Sequence, residues 1–380
     1  MMEEIYLDNA ATTKPLGEAV DAMLPYMKDL YGNPSSVYSL ARRSKRALDE
    51  ARDACAKEIH ANSSEVYFTS GGSESDNWAL TSAFCAYKDR GNRIITTAIE
   101  HPAILNTCRI LEKEGAEIVY LPVDSLGRVD PEDAEKAMTD KTILVSVMTA
   151  NNEVGTIEPI REIGAIAHRH GAIFHTDAVQ AYGHIPIDVE KDNIDLLSAS
   201  GHKFHGPKGC GIFYIKNGVR IGSFVHGGAQ ERGRRAGTEN VASIVGMGAA
   251  ASFMSKHRED FAGKEAGLRD YAMERLENEI DGVAILGDRR MRLPQNIDIL
   301  IDGVEGESLL IMLDQRGICA SSGSACSSGS LDPSHVLLAM GIPEEKAYGA
   351  LRLTMSFMTT KKEIDLAIDA IRECVVQLRA

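Results

Sequence analysis

From residue 65 to about 215 the sequence switches repeatedly between two hydrophobic periods, and this alternation limits the fold more than any other feature. Val66-Tyr67-Phe68-Thr69 reads as a buried strand, followed by a helical stretch from Ser73 to about Arg90. Strand-like Arg93 to Ala98, helical Ala103 to Glu114 and strand-like Glu117 to Leu121 come next. A helix near Pro131 to Met138 leads to the apolar strand Thr142 to Met148, then to the helix Ile160 to His170 and the strand Ala172 to Thr176. Further strands fall near 194–198 and 210–215. Short β-branched runs alternating with amphipathic helices predict an α/β fold whose mostly parallel sheet is covered on both faces.

Past residue 255 the pattern changes to a long charged helix (Ser255 to Glu279), an irregular α+β stretch containing Asp298 to Ile301 and Ser308 to Leu313, and a closing helix from Lys361. The expected division is a large unit over 15–258 and a smaller α+β unit built from 1–14 and 259–380. At 380 residues the chain is long enough for two such cores.

With 41 basic and 55 acidic side chains, the formal net charge of −14 argues against nucleic-acid and anionic-membrane partners. The cluster Arg42, Arg43, Lys45 and Arg46 is expected to be one solvated helix face. No apolar run approaches the roughly 18 residues that span a bilayer, and the first residues do not read as a secretory signal. Seven cysteines form no C-x-x-C pair, so free thiols in a reducing cytoplasm are expected, with no structural metal site.

Four loops follow strands, where open α/β sheets bind ligands. Thr69-Ser70-Gly71-Gly72-Ser73-Glu74-Ser75 lets the backbone approach an anion and opens a helix whose free N–H groups would face it. It lacks the G-x-x-x-x-G-K-[ST] pattern of a nucleotide loop. Phe174-His175-Thr176-Asp177 ends a hydrophobic run on an acid, which is either a helix cap or the partner of a buried cation. Leu197-Ser198-Ala199-Ser200-Gly201-His202-Lys203 places a lysine among small residues, where partial desolvation would make its amine a nucleophile, with Lys208 the next candidate. An aldehyde-bonding lysine, an acid for a ring nitrogen and donors for a phosphate are together the requirements of pyridoxal 5′-phosphate.

The fourth loop, Ala320-Ser321-Ser322-Gly323-Ser324-Ala325-Cys326-Ser327-Ser328-Gly329-Ser330, embeds a cysteine in residues that build no core. Cys326 is therefore expected to be an exposed, reactive thiol on a mobile tether, whereas Cys319 and Cys210 read as buried. Gly246-Met247-Gly248-Ala249-Ala250-Ala251 fits a dinucleotide fingerprint but lies in a helical pattern beginning near Asn240, so it is read as a helix-packing stripe.

Taken together, Tyr6 to Thr13, Gly32-Asn33-Pro34-Ser35-Ser36, Glu100-His101, Asn151 to Gly155, Ser200 to Lys203, Arg235 to Asn240 and Ser321 to Cys326 resemble the cysteine desulfurases of the NifS/IscS kind, within the fold-type-I pyridoxal-phosphate superfamily. The resemblance runs nearly end to end. It implies a mostly parallel seven-stranded sheet in the large domain and a homodimer that converts L-cysteine to L-alanine. The sulfur would be held as a persulfide on Cys326 for an acceptor protein, either an iron–sulfur scaffold or a thiolation enzyme. Lys203 would bond the cofactor and shuttle protons, Asp177 would pair with the ring nitrogen, Gln180 would meet the ring hydroxyl, and His101 would stack on the ring. Gly72, Ser73, Ser200 and His202 would hold the phosphate, with Thr238 reaching in from the second subunit. Asn152 and Arg352 would grip the substrate carboxylate. Cys326 is also a candidate transient iron–sulfur ligand. A selenocysteine lyase, transaminase or epimerase on the same scaffold is the alternative.

The sequence departs from the usual pattern at Tyr38, where many relatives have His, at Ser73 for Thr, and at Leu353 to Phe357 after Arg352, where a Gly-Arg pair is common. The chain also ends soon after its last helix, without the longer tail such enzymes use to dock a scaffold.

Overall fold

The computed structural model describes residues 4–322 and 333–380. Twelve strands occur among these residues: β1 Ile5–Tyr6, β2 Val66–Thr69, β3 Arg93–Thr97, β4 Glu117–Leu121, β5 Thr142–Ser146, β6 Ile173–Asp177, β7 Leu196–Ser200, β8 Gly211–Ile215, β9 Val283–Ile285, β10 Asn296–Ile301, β11 Ile318–Cys319 and β12 Ala350–Thr354. Seven of them form one sheet in the order β2-β8-β7-β6-β5-β3-β4. Only β8 runs antiparallel to its neighbours, so the sheet is mixed but mostly parallel, as the alternating pattern requires.

Side chains of a strand point alternately to its two faces. Phe68, Ile95, Val145, Phe174, Leu197 and Ile212 accordingly pack into one core. Their neighbours Tyr67, Ile94, Leu144, Ile173, Leu196 and Phe213 pack into another on the opposite side. A strand buried on both faces has no polar alternation, which is why these segments read as continuous apolar runs.

Three helices carry more of the packing around the large sheet than their sequence announced. The segments Gly17–Lys28 and Ser39–Glu58 are helices; in the second, Ala41, Ser44, Ala47, Leu48, Ala51 and Cys55 form the buried stripe. Arg42, Arg43, Lys45 and Arg46 lie on its exposed side, as expected. The third is a single 39-residue helix, Val241–Glu279, where the sequence pattern broke at residue 255. Its glycines explain the change of character: a Cβ at Gly246 would meet Met23 Cγ at 2.6 Å, and one at Gly248 would meet Ala51 Cα at 2.7 Å. The small-residue stripe is thus a close helix–helix contact, and the helix continues past it into different surroundings.

Those surroundings are a further core around Ile297, Ile299 and Ile301 of β10, Leu351 and Leu353 of β12, and Ile364, Ile368 and Ile371 of the closing helix Lys361–Leu378. β10 pairs antiparallel with both β9 and β12. The chain's beginning joins this core: Ile5 and Leu7 pack in it, and β1 pairs in parallel with β11. From there residues 8–16 cross to the carboxyl edge of the large sheet.

Candidate active site

At that edge the loops after β2, β3, β5, β6 and β7 surround a cavity of about 250 Å³. Nine predicted residues line it: Gly72, Ser73, His101, Asn152, Asp177, Gln180, Ser200, His202 and Lys203. Thr238 and Arg352 do not. Cys326 lies outside the described residues.

One end of the cavity is built for an anion. Gly71 has φ +153°, and the helix Gly72–Tyr87 begins behind it without a side-chain cap. A Cβ on Gly72 would sit 2.6 Å from Val179 Cγ2, so only glycine lets this first turn come so close to the loop after β6. Ser73 and Ser200 bring hydroxyls to the same end, together with His202, whose Nδ1 is 3.2 Å from Thr12 Oγ1. Burial first, then the charges of Lys203 and Lys208, push the His202 imidazole down to about 4, so it is neutral near pH 7.

Lys203 stands between the two ends. Its Nζ donates to the carbonyl oxygens of Ala10 at 2.5 Å and Ala11 at 2.9 Å. The loop is laced to the same segment by Thr13, whose N–H and hydroxyl both donate to His202 O at 2.9 Å. Gln180 Nε2 also donates to Ala10 O, at 3.0 Å. The Tyr6-to-Thr13 motif thus works through its backbone, which side-chain reasoning did not find.

The other end is acidic. Asp177 closes β6 at 5% exposure, and its Oδ1 accepts from Val179 N at 2.8 Å. Burial pushes its carboxyl up to about 6, against the Val179 N–H and the Lys203 charge, which both favour ionisation. Asp76, on the buried side of the helix Gly72–Tyr87, also lines the cavity and was missed by sequence reasoning. An acid one position from Ser75 and two before the buried Trp78 was the available signal. Glu100 lies behind, fully buried, accepting from Thr97 Oγ1 and Met148 N, each at 2.9 Å.

His101 caps the helix Pro102–Lys113, its Nδ1 accepting from Ala103 N at 3.1 Å. The ring proton is therefore on Nε2. Burial first, then Lys203 and His335, lower this imidazole to about 4. Arg352, on β12, is 1% exposed and sits behind Asn152: Nη1 donates to Asn152 O at 2.8 Å and Nη2 to Asp8 Oδ1 at 3.1 Å.

The described residues on either side of positions 323–332 bond to residues that adjoin this site. Ser321 and Arg352 exchange backbone hydrogen bonds of 3.2 and 2.7 Å. The Ser334 hydroxyl donates to the Glu153 carboxylate, and His335 Nε2 lies 2.9 Å from Glu100 O.

The sequence profile described as aminotransferase class-V matches residues 5–366. The chain belongs to the class-V aminotransferase family. Among curated members it is 51% identical over 375 residues to a protein of Methanosarcina thermophila named cysteine desulfurase IscS, covering 99% of this chain and 93% of that one. Among solved structures it superposes on one titled NifS-like protein with a TM-score of 0.93 at 37% identity, covering 99% of this chain and 100% of the other. Another, titled SspA in complex with cysteine, has a TM-score of 0.83 at 33% identity, over 94% and 100% of the two chains.

This class-V family depends on pyridoxal 5′-phosphate, and the cavity fits that group on its own physical terms. The glycine-lined, uncapped helix start with Ser73, Ser200 and His202 suits a phosphate. The buried Asp177 carboxylate suits a protonated ring nitrogen. The Lys203 amine lies within the same cavity, so the donor set matches the cofactor at both ends and between them.

Proposed function

We propose that this class-V aminotransferase is a cysteine desulfurase, releasing L-alanine from L-cysteine and holding the sulfur on Cys326 for an acceptor protein. Lys203, Asp177, His101, Gly72, Ser73, Ser200 and His202 converge on one cavity, and this supports the reading most; Ser321 and Ser334, which flank positions 323–332, bond to Arg352 and Glu153 beside it. Pyridoxal 5′-phosphate, when bound, supplies an aldehyde for the substrate's amine and a ring that takes up electron density from its α-carbon.

Each residue then has a distinct task. The N–H groups of the Gly72 and Ser73 turn, the hydroxyls of Ser73 and Ser200, and His202 would hold the phosphate. Asp177 would keep a proton on the ring nitrogen, Gln180 would bond the ring hydroxyl, and neutral His101 would stack on the ring. Lys203 Nζ moves the proton at the substrate's α-carbon. Asn152 orients the substrate's carboxylate, and Arg352, already bonded to the Asn152 backbone, adds its charge. The Cys326 thiolate attacks the substrate's sulfur: an S–S bond forms, the Cβ–S bond breaks, and its electron pair stays on Cβ, which takes a proton to give alanine.

The reading includes a homodimer. Met27, Tyr31, Val37 and Tyr38 are exposed apolar side chains within one stretch of twelve residues, which suits burial in such an assembly, and Thr238, also exposed, would reach the partner's phosphate in it. An iron–sulfur scaffold or a thiolation enzyme would take the sulfur, in the cytoplasm. Among the described residues no helix is long and apolar enough to cross a membrane. The test is to supply L-cysteine to the purified holoenzyme and measure alanine, sulfide and persulfide with each candidate acceptor. Alanine formed in step with transferred sulfur is expected; cofactor-dependent transamination without sulfur release would overturn the proposal.

A further inference from the structure

Two carboxyl groups, not one, line the acidic end of the cavity. Asp76 is 1% exposed, and its Oδ1 has no hydrogen-bond partner among the described residues. Asp177 lines the same cavity, and the ring of His175 lies 3.8 Å from Asp76 Oδ1; burial first, then the charges of Asp177 and Glu100, disfavour ionisation of Asp76, and the Ser198 hydroxyl favours it. His175 brings no charge. Its nitrogens pair with the hydroxyls of Ser146 at 2.8 Å and Ser198 at 3.1 Å, and burial lowers it to about 3. Asp177, by contrast, has the Val179 N–H and feels the Lys203 charge.

Like charges that line one buried cavity are disfavoured together, so one group keeps its proton. A second unpaired negative charge at Asp76 would cost far more than the proton that removes it. We propose, resting on the cofactor reading above, that Asp76 and Asp177 are a carboxyl pair carrying one negative charge between them, with Asp76 the un-ionised member, so that a single negative charge serves the cofactor's ring nitrogen. Asp76 is then a positioning residue that keeps Asp177 ionised. It also holds a charge in reserve: if Asp177 is neutralised, Asp76 loses its proton and takes over. The burial of Asp76 and its Asp177 neighbour raise its carboxyl well above the ordinary carboxylate range, in keeping with this assignment.

The test is a double-mutant cycle on pyridoxal phosphate affinity, measured by equilibrium dialysis against the full chain, with Asp76→Asn, Asp177→Asn and both together. Asp76→Asn alone should weaken binding by no more than about threefold, because a neutral amide replaces a neutral acid. Asp177→Asn should weaken it by roughly tenfold, and the double variant by at least a further tenfold, because only then is the charge lost altogether. Infrared difference spectra of the holoenzyme, wild type minus Asp76→Asn, should contain the carbonyl stretch of an un-ionised carboxylic acid. An additive cycle, or loss of carboxylate bands in that difference, would overturn the pair. A wild-type protein that takes up no pyridoxal phosphate would instead overturn the cofactor reading itself.

Discussion

Lys203 Nζ donates to the carbonyl oxygen of Ala10 at 2.5 Å, so the amine at the centre of the site is held by a segment nearly two hundred residues earlier in the chain. The contact joins the Ser200-to-Lys203 loop to the stretch that crosses from the second core, and Gln180 shares the same acceptor.

Removing that amine should abolish chemistry and leave the fold. Lys203→Ala is expected to lose the visible absorbance of bound cofactor and all measurable turnover, while its circular dichroism stays that of the wild type. Lys208, exposed on the same loop, serves as control: Lys208→Ala should keep both. The reverse pattern would relocate the cofactor-bonding lysine.

Asp177→Asn should bind the cofactor about tenfold more weakly, on the order of 1.4 kcal/mol, because Asp76 supplies part of the lost charge. Burial holds the Asp177 carboxyl at about 6, above its unfolded value near 3.8. The folded protein thus binds the extra proton, and this residue's contribution to stability is lost as pH rises from about 4 through about 6. Cofactor-free wild type should lose thermal stability across that window relative to the double variant Asp76→Asn/Asp177→Asn, in which neither carboxyl remains to titrate. Parallel melting curves would show that Asp177 is uncharged there or merely a loop cap.

His101 should stay neutral to about pH 4, with its proton on Nε2. Because its folded value lies below the unfolded one, its contribution is present above about pH 6.5 and is lost as pH falls toward 4. Nitrogen-15 NMR of labelled histidine reads this directly. A His101 resonance titrating near 6.5 would contradict the burial argument.

Cys326→Ser should still take up cofactor and form its complex with cysteine, but alanine and sulfide production should fall by orders of magnitude, because a serine hydroxyl is a poor acceptor of sulfur. Cys319 differs: burial first, then Glu4, Asp314 and Asp8, raise its thiol. Cys319→Ser should keep most turnover. A persulfide mass shift mapped to Cys319 would reverse the assignment.

Mixing Lys203→Ala and Thr238→Ala protomers tests shared sites. A heterodimer would carry one site with both defects and one with neither, so activity should reappear on mixing. A fully active monomer in ultracentrifugation would exclude the arrangement.

Much of this was legible in the chain because its signals are local. β2 through β8 declare themselves by apolar runs of four or five residues, and the loops that follow them carry the glycines, Asp177 and Lys203. What stayed hidden depends on contacts remote in sequence. The Ala10 and Ala11 carbonyls carry no side-chain signature, and Asp76 looks like any polar residue early in a helix until the loops of β6 and β7 enclose it. The helix Val241–Glu279 read as two patterns because its partners change midway, so its buried face changes composition while its backbone does not.

That helix has a mechanical consequence. At 1.5 Å per residue it is a rod about 58 Å long, with Ile244, Met247 and Met254 fixed in the first core and Met273 and Leu276 in the second. Bodies joined by a loop swing freely, whereas bodies sharing a rod move chiefly by bending it. A bend of about 3° at its middle carries the far end about 1.5 Å, enough to change a hydrogen bond. Gly263 and Gly267 lie near that midpoint, with nothing within 4 Å of a Cβ built at either, so the rod is most pliant where bending has the greatest leverage. Arg352 rides on the far body, and because its guanidinium also bonds Asn152 O and Asp8, bending of the helix would load those two hydrogen bonds first.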